Sequence, residues 1–173
     1  MYEVINDRVE RCDELPAPEG GAPNPFYLGL EGTIVLAYRM CKQDPRWEEK
    51  WTTLWTDSDE KVIEACFAVV RFNGVLAHYS GAPSEEATPG HPLYERGLER
   101  LTASEVFESS WIKAQKQMDS VSPSHANANF DLYRHFYIGF HESSFECIAI
   151  NTTVKSHYGD IDFTDLVALL NES

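Results

Sequence analysis

The sequence predicts an α+β domain with a mainly antiparallel sheet built on two hairpins, residues 66–80 and 132–154, and about three helices packed on one face of it. Three observations carry this reading. Asn73-Gly74 stands between two runs rich in β-branched and aromatic residues, Cys66–Phe72 and Val75–Tyr79, the strongest short-range hairpin signal. Further on, Phe136, Ile138 and Phe140 alternate with His135, Tyr137, Gly139 and His141, a period of two that belongs to a strand. Finally, strands and helices do not alternate regularly and no Gly-rich phosphate loop is present, which argues against a parallel dinucleotide-binding sheet.

With 173 residues, the chain is most simply one domain, residues 1–173, long enough to bury a substantial core without metals or crosslinks. Residues 1–25 are expected to be peripheral. Four prolines and two glycines between Leu15 and Pro25 remove backbone donors and discourage both helix and central strand. Thr33–Tyr38 reads as a strand, with Gly29 and Gly32 marking a bulge or a close backbone approach. Asp44-Pro45 opens a helix, with Asp at the N-cap and Pro in the first turn. Trp47, Trp51, Leu54 and Trp55 recur at helical spacing and are expected to anchor the core.

A two-residue turn at Asn73-Gly74 opposes Phe72 to Val75, Val70 to Ala77 and Ala68 to Tyr79, making one face wholly apolar. The other face is mostly apolar too, so this hairpin belongs mid-sheet or under helices. Residues 81–92, rich in Gly and Pro, form a long loop, and long loops often carry function. Leu93–Leu98 fits one helical turn and Thr102–Glu108 a strand. Ser109 or Ser110 caps a helix through about Met118, with Trp111, Ile112, Gln115 and Met118 inward. The second hairpin turns within Glu142–Ser144. If Ser143 and Ser144 are its loop, His141 opposes Glu146 and Cys147 opposes Phe140. The last helix covers Asp160–Leu170, with Asp162 at the N-cap, Asp165 three residues on, and Phe163, Leu166, Val167 and Leu170 as its stripe.

The chemistry-bearing groups gather around the histidines. His78 lies on the first hairpin, His91 and Tyr94 in the long loop and its exit, and His141 and Glu146 on the second hairpin; these five form the candidate ligand pocket. His135 and His141 are six apart on one strand, about 20 Å, too far to share an ion. Each imidazole also reads simply as a half-buried sheet residue with a polar partner. Cys66 and Cys147 read as inert buried thiols. Ser109 reads as a helix cap, since no G-x-S-x-G context surrounds it.

A formal net charge of −14 argues against nucleic-acid partners, which need a basic surface, and against anionic membranes. It suits a basic protein partner. Cys12, Cys41, Cys66 and Cys147 form no CxxC pair, so neither a structural zinc nor another cofactor is expected. With no apolar run of membrane length and no leader-like start, a cytoplasmic location follows. The leading expectation is an acidic binding module, without catalysis, for a protein or a small molecule. The alternative is a His/Glu-based hydrolase or isomerase, with or without a divalent metal. An exposed strand edge also invites homodimer formation.

Overall fold

The structure, a computed structural model, describes residues 3–40, 55–56, 62–63, 66–123 and 126–171. In chain order these form β1 (Arg8–Arg11), β2 (Phe26–Leu30), β3 (Thr33–Arg39), β4 (Trp55–Thr56), β5 (Val62–Ile63), β6 (Cys66–Asn73), β7 (Ala77–Gly81) and β8 (Ala103–Phe107). There follow α1 (Ser110–Asp119), the single turn α2 (Asn127–Phe130), β9 (Arg134–Gly139), β10 (Ser144–Ala149), β11 (Asn151–Tyr158) and α3 (Phe163–Leu170). Between β7 and β8 lie two 3₁₀ turns, Thr88–Gly90 and Tyr94–Arg96.

The domain is α+β, and its pairing is antiparallel, but it holds two main sheets instead of one. The first runs β1-β8-β9-β10-β7 and the second β11-β6-β3-β2. A small third ladder pairs β4 with β5. The first expected hairpin is therefore corrected: β6 and β7 do not pair with each other. β6 lies between β3 and β11 in the second sheet, while β7 is the edge of the first, paired with β10. Only Gly74 enters the left-handed region (φ +63°); Asn73 does not, and a type I′ turn needs both. Gly74 instead sits at a corner where the chain leaves one sheet for the other. The antiparallel partner turns at the same place, at Ile150 between β10 and β11. Ile150 N–H donates to Asn73 O at 3.0 Å and Leu76 N–H to Ile148 O at 2.9 Å, so the corner keeps its backbone bonds.

The tight two-residue reversal lies elsewhere. Leu30 pairs with Thr33 across Glu31-Gly32, with Gly32 at φ +77°. Of the second expected hairpin, residues 132–154, the β9–β10 part holds, while residues 151–154 belong to β11 of the other sheet. The β9–β10 loop is Phe140–Ser143, closed by Phe140 N–H to Ser143 O at 2.7 Å. Glu146 consequently opposes Tyr137 and Cys147 opposes Phe136, not His141 and Phe140.

Apolar alternation explains the layering. Ala68, Val70 and Phe72 of β6 meet Phe136, Ile138, Phe145 and Cys147 of the first sheet in the main core. The opposite face of β6, Phe67 and Val69, packs with Val35 and Ala37 under Leu166 and Leu170 of α3. On the far side of the first sheet, Val9, Val106 and Tyr137 are covered by Leu93 and Leu98 from the 3₁₀ segment. Elements thus cover both outer faces, not one. A strand greasy on both sides does lie mid-sheet, as β6 requires.

Local helix signals are realised closely. Ser109 caps α1 by accepting from Ile112 N–H, and Asp162 and Asp165 form a capping box on α3. Met118, Phe163 and Val167, expected inward, are exposed at 62%, 58% and 47%. The N-terminal segment supplies β1 and buries Val9, Cys12 and Leu15. Buried Asp7 accepts from Ser110 N–H at 2.7 Å, a second cap on α1. The expected Trp-rich helix falls largely outside the described residues; Trp55 pairs as a strand residue with Ile63. No helix among the described residues is long and apolar enough to cross a membrane.

Candidate functional site

Two of the five candidate residues meet. Glu146 projects from β10 onto the outer face of the first sheet, where His91 Nε2 lies 3.2 Å from its Oε1. The second imidazole on this carboxylate is His135 of β9, whose Nε2 is 3.0 Å from Glu146 Oε2. His135 Nδ1 in turn lies 2.9 Å from Ser109 Oγ. The sequence places His135 in the right strand and Ser109 at the right cap. Their meeting with Glu146 depends on the strand register and on where the helix start docks.

Local chemistry positions each group. His91 precedes Pro92, which pushes it to extended backbone (φ −73°, ψ 137°), as a residue before proline prefers. Its Nδ1 then accepts the Leu93 N–H at 3.2 Å. That nitrogen carries no proton, so Nε2–H donates to Glu146. Ser109 Oγ also accepts from Ile112 N–H at 3.2 Å, and His135 Nε2–H donates to Glu146, whose ionised carboxylate can only accept. Edge-on rings support both imidazoles: Tyr137 against His91 at 5.4 Å and Trp111 against His135 at 5.1 Å between centroids.

Burial alone would raise the Glu146 pKa, but the hydrogen bonds from His135 and His91 outweigh it and hold the group at about 2. It is a carboxylate inside the protein, neutralised by directed N–H donors. Beside it, burial pushes the Tyr137 phenol up to about 12 against a lesser opposing hydrogen bond from Ser144.

Ser109, His135 and Glu146 stand in the order of an acyl-transfer relay, in which hydroxyl, imidazole and carboxylate share hydrogen bonds. They are 4%, 0% and 3% exposed. As placed, the relay knits β9, β10 and the start of α1 together, and His91 ties the 3₁₀ segment to it through Glu146. Among the described residues, no three His, Cys, Asp or Glu side chains converge as a metal-binding set.

The other candidates stand apart. His141 is in the β9–β10 loop, with Nδ1 3.0 Å from Glu85 Oε2. Tyr94, in the second 3₁₀ turn, is 41% exposed. His78 is on edge strand β7, its ring 5.7 Å from Tyr27 and 6.3 Å from Phe145. Those two aromatics line a cleft of about 260 Å³ at the seam where β2 of one sheet approaches β7 of the other. Phe26, Phe140 and Phe163 complete its aromatic wall, with Ser80 and Ser143 at hand. Of the candidates, then, His78 stands beside open space, while His91 and Glu146 lie in the interior. No known protein family matches the chain, and no curated protein or solved structure matches it either.

Proposed function

We propose that this is a non-catalytic binding protein that takes a small, flat apolar molecule into the seam between its two sheets. The supporting observation is the cleft itself: five aromatic rings around about 260 Å³. Ligand sites are typically concave, lined by apolar and aromatic side chains, and equipped with a few polar groups. The volume suits one or two fused rings. Ser80 and Ser143 offer hydroxyls to a single polar edge.

Titration of the isotope-labelled protein with indole, followed by amide NMR, tests this reading. The amides of Phe26, Tyr27, Ser80 and Phe145 are expected to shift together and saturably. Ser80 is exposed, so Ser80→Trp fills the cleft without disturbing the core and is expected to abolish the shifts. Indole that leaves these amides unmoved, or binds S80W as well as the parent, would end the proposal.

A second reading rests on the Ser109–His135–Glu146 hydrogen-bond order. It makes Ser109 the nucleophile of a hydrolase, reached when the segment carrying His91 swings aside. A fluorophosphonate reagent decides it. Covalent labelling at Ser109 that disappears in His135→Gln supports the hydrolase; an unlabelled, folded protein after long exposure excludes it.

A further inference from the structure

We infer that the outer face of the second sheet carries a separate site for a small organic oxyanion, a carboxylate or phosphate monoester, held by Arg71 and Lys155. A cavity of about 270 Å³ opens there beside the C-terminal turn of α3. Its floor is apolar, from Val35, Val69 and Leu169, and its polar wall is Arg71, Lys155, Asn73 and Thr153. The chain carries 28 acidic side chains against 14 Lys and Arg, yet the described residues that line this cavity include two cations and no carboxylate.

The ladder places these groups. Arg71 pairs with Thr153, and Val69 with Lys155, across β6 and β11. Arg71 and Lys155 are therefore diagonal neighbours on one face, within reach of a common ligand. The guanidinium is oriented before any ligand arrives. Its Nε donates to Asn73 Oδ1 at 3.0 Å, and Nη1 donates to Leu169 O and Leu170 O at 2.9 and 3.1 Å. These bonds close the end of α3 and leave Nη2 with no hydrogen-bond partner among the described residues. A preoriented guanidinium loses little freedom on binding an oxyanion. The apolar floor then receives the body of the ligand, which distinguishes an organic acid from a bare inorganic ion.

The test uses the full-length labelled protein and three probes of one shape: benzoate, phenyl phosphate and benzamide. Benzoate, phenyl phosphate or both are expected to shift the amides of Val69, Arg71, Thr153 and Lys155 at millimolar concentration, and whichever binds names the head group. Benzamide, isosteric and neutral, is expected to leave them in place. Lys155 is exposed, so Lys155→Gln tests charge without loss of fold and is expected to weaken binding about tenfold, while Lys155→Arg retains it. Benzamide binding as tightly as the anions, unchanged affinity in K155Q, or failure of all three probes to move these amides would each overturn the assignment.

Discussion

His135 Nε2 donates to Glu146 Oε2 across 3.0 Å between two buried side chains, so an ionised carboxylate inside this domain depends on a neighbouring strand for its stability. Glu146→Gln removes the charge and turns an amide N–H₂ toward one of two imidazole N–H groups, leaving a buried donor unpaired. Leaving a buried donor without its partner costs about 1–3 kcal/mol, above a typical surface substitution. Urea unfolding of E146Q is expected to show that loss with an unchanged m-value. A loss below about 0.5 kcal/mol, the scatter of surface changes, would mean that the two imidazoles do not hold the carboxylate.

Acid sensitivity follows from the same group. The folded pKa of Glu146 is depressed to about 2 from an ordinary 4.5. The unfolded chain therefore binds the proton first as pH falls. The contribution of Glu146 is fully present above about pH 4.5, erodes below it, and is gone once pH passes the folded value near 2. Because Glu14 and Asp162 are also depressed, the informative quantity is the stability difference between the parent and E146Q. That difference is expected to shrink between these two pH values. A difference that stays constant across the window would contradict the assignment.

His141 behaves in the opposite sense. Its hydrogen bond to the Glu85 carboxylate, with further help from Glu142 and Glu86, raises its pKa above 6.5. Any stabilisation it lends is complete below pH 6.5 and disappears as pH rises through the elevated value. The imidazole is exposed at 44%, so water screens the pair and the sensitive measurement is the titration itself. NMR is expected to place the His141 midpoint above 6.5 in the parent and to lower it in Glu85→Gln. An identical midpoint in both would remove Glu85 as the cause.

Sequence signals read correctly here when the deciding residues are close in the chain. Asp162 and Asp165 sit three residues apart and form the capping box; Ser109 announces α1 in the same way. The β9–β10 hairpin is legible from its alternation, yet its loop length is not. The pairing partner of Glu146 moves by four residues, from His141 to Tyr137. That even slip keeps every side chain on its face, so Glu146 remains on the side of His135 and Tyr137. The sequence groups His91 with Glu146 but gives no geometry for their meeting, because the loop reaches β10 only through the packing of Leu93 and Leu98 over the sheet. Asn73-Gly74 misleads for a related reason. A glycine that permits positive φ serves a tight reversal or a corner equally well, and here the choice belongs to Ile148 and Ile150, far along the chain.

That corner gives the sharpest test of the two-sheet architecture. A Cβ on Gly74 would stand 2.6 Å from Ile150 Cδ1 and 2.8 Å from its Cγ1, with the backbone already at φ +63°. Gly74→Ala therefore meets two penalties, a left-handed conformation that costs about 1–2 kcal/mol and a collision with the partner strand. Ile150 is 37% exposed, so Ile150→Ala alone is expected to be mild. In combination, it removes the atoms struck by the new methyl but cannot relieve the backbone conformation. The double variant is thus expected to be less destabilised than the sum of the singles, with a coupling energy of about 0.5 kcal/mol or more. A hairpin turn at Asn73-Gly74 would not bring Ile150 against it, and the two substitutions would then add. Urea unfolding of the parent, both single variants and the double variant separates the two cases, because only strands that bend together at one corner make these positions neighbours.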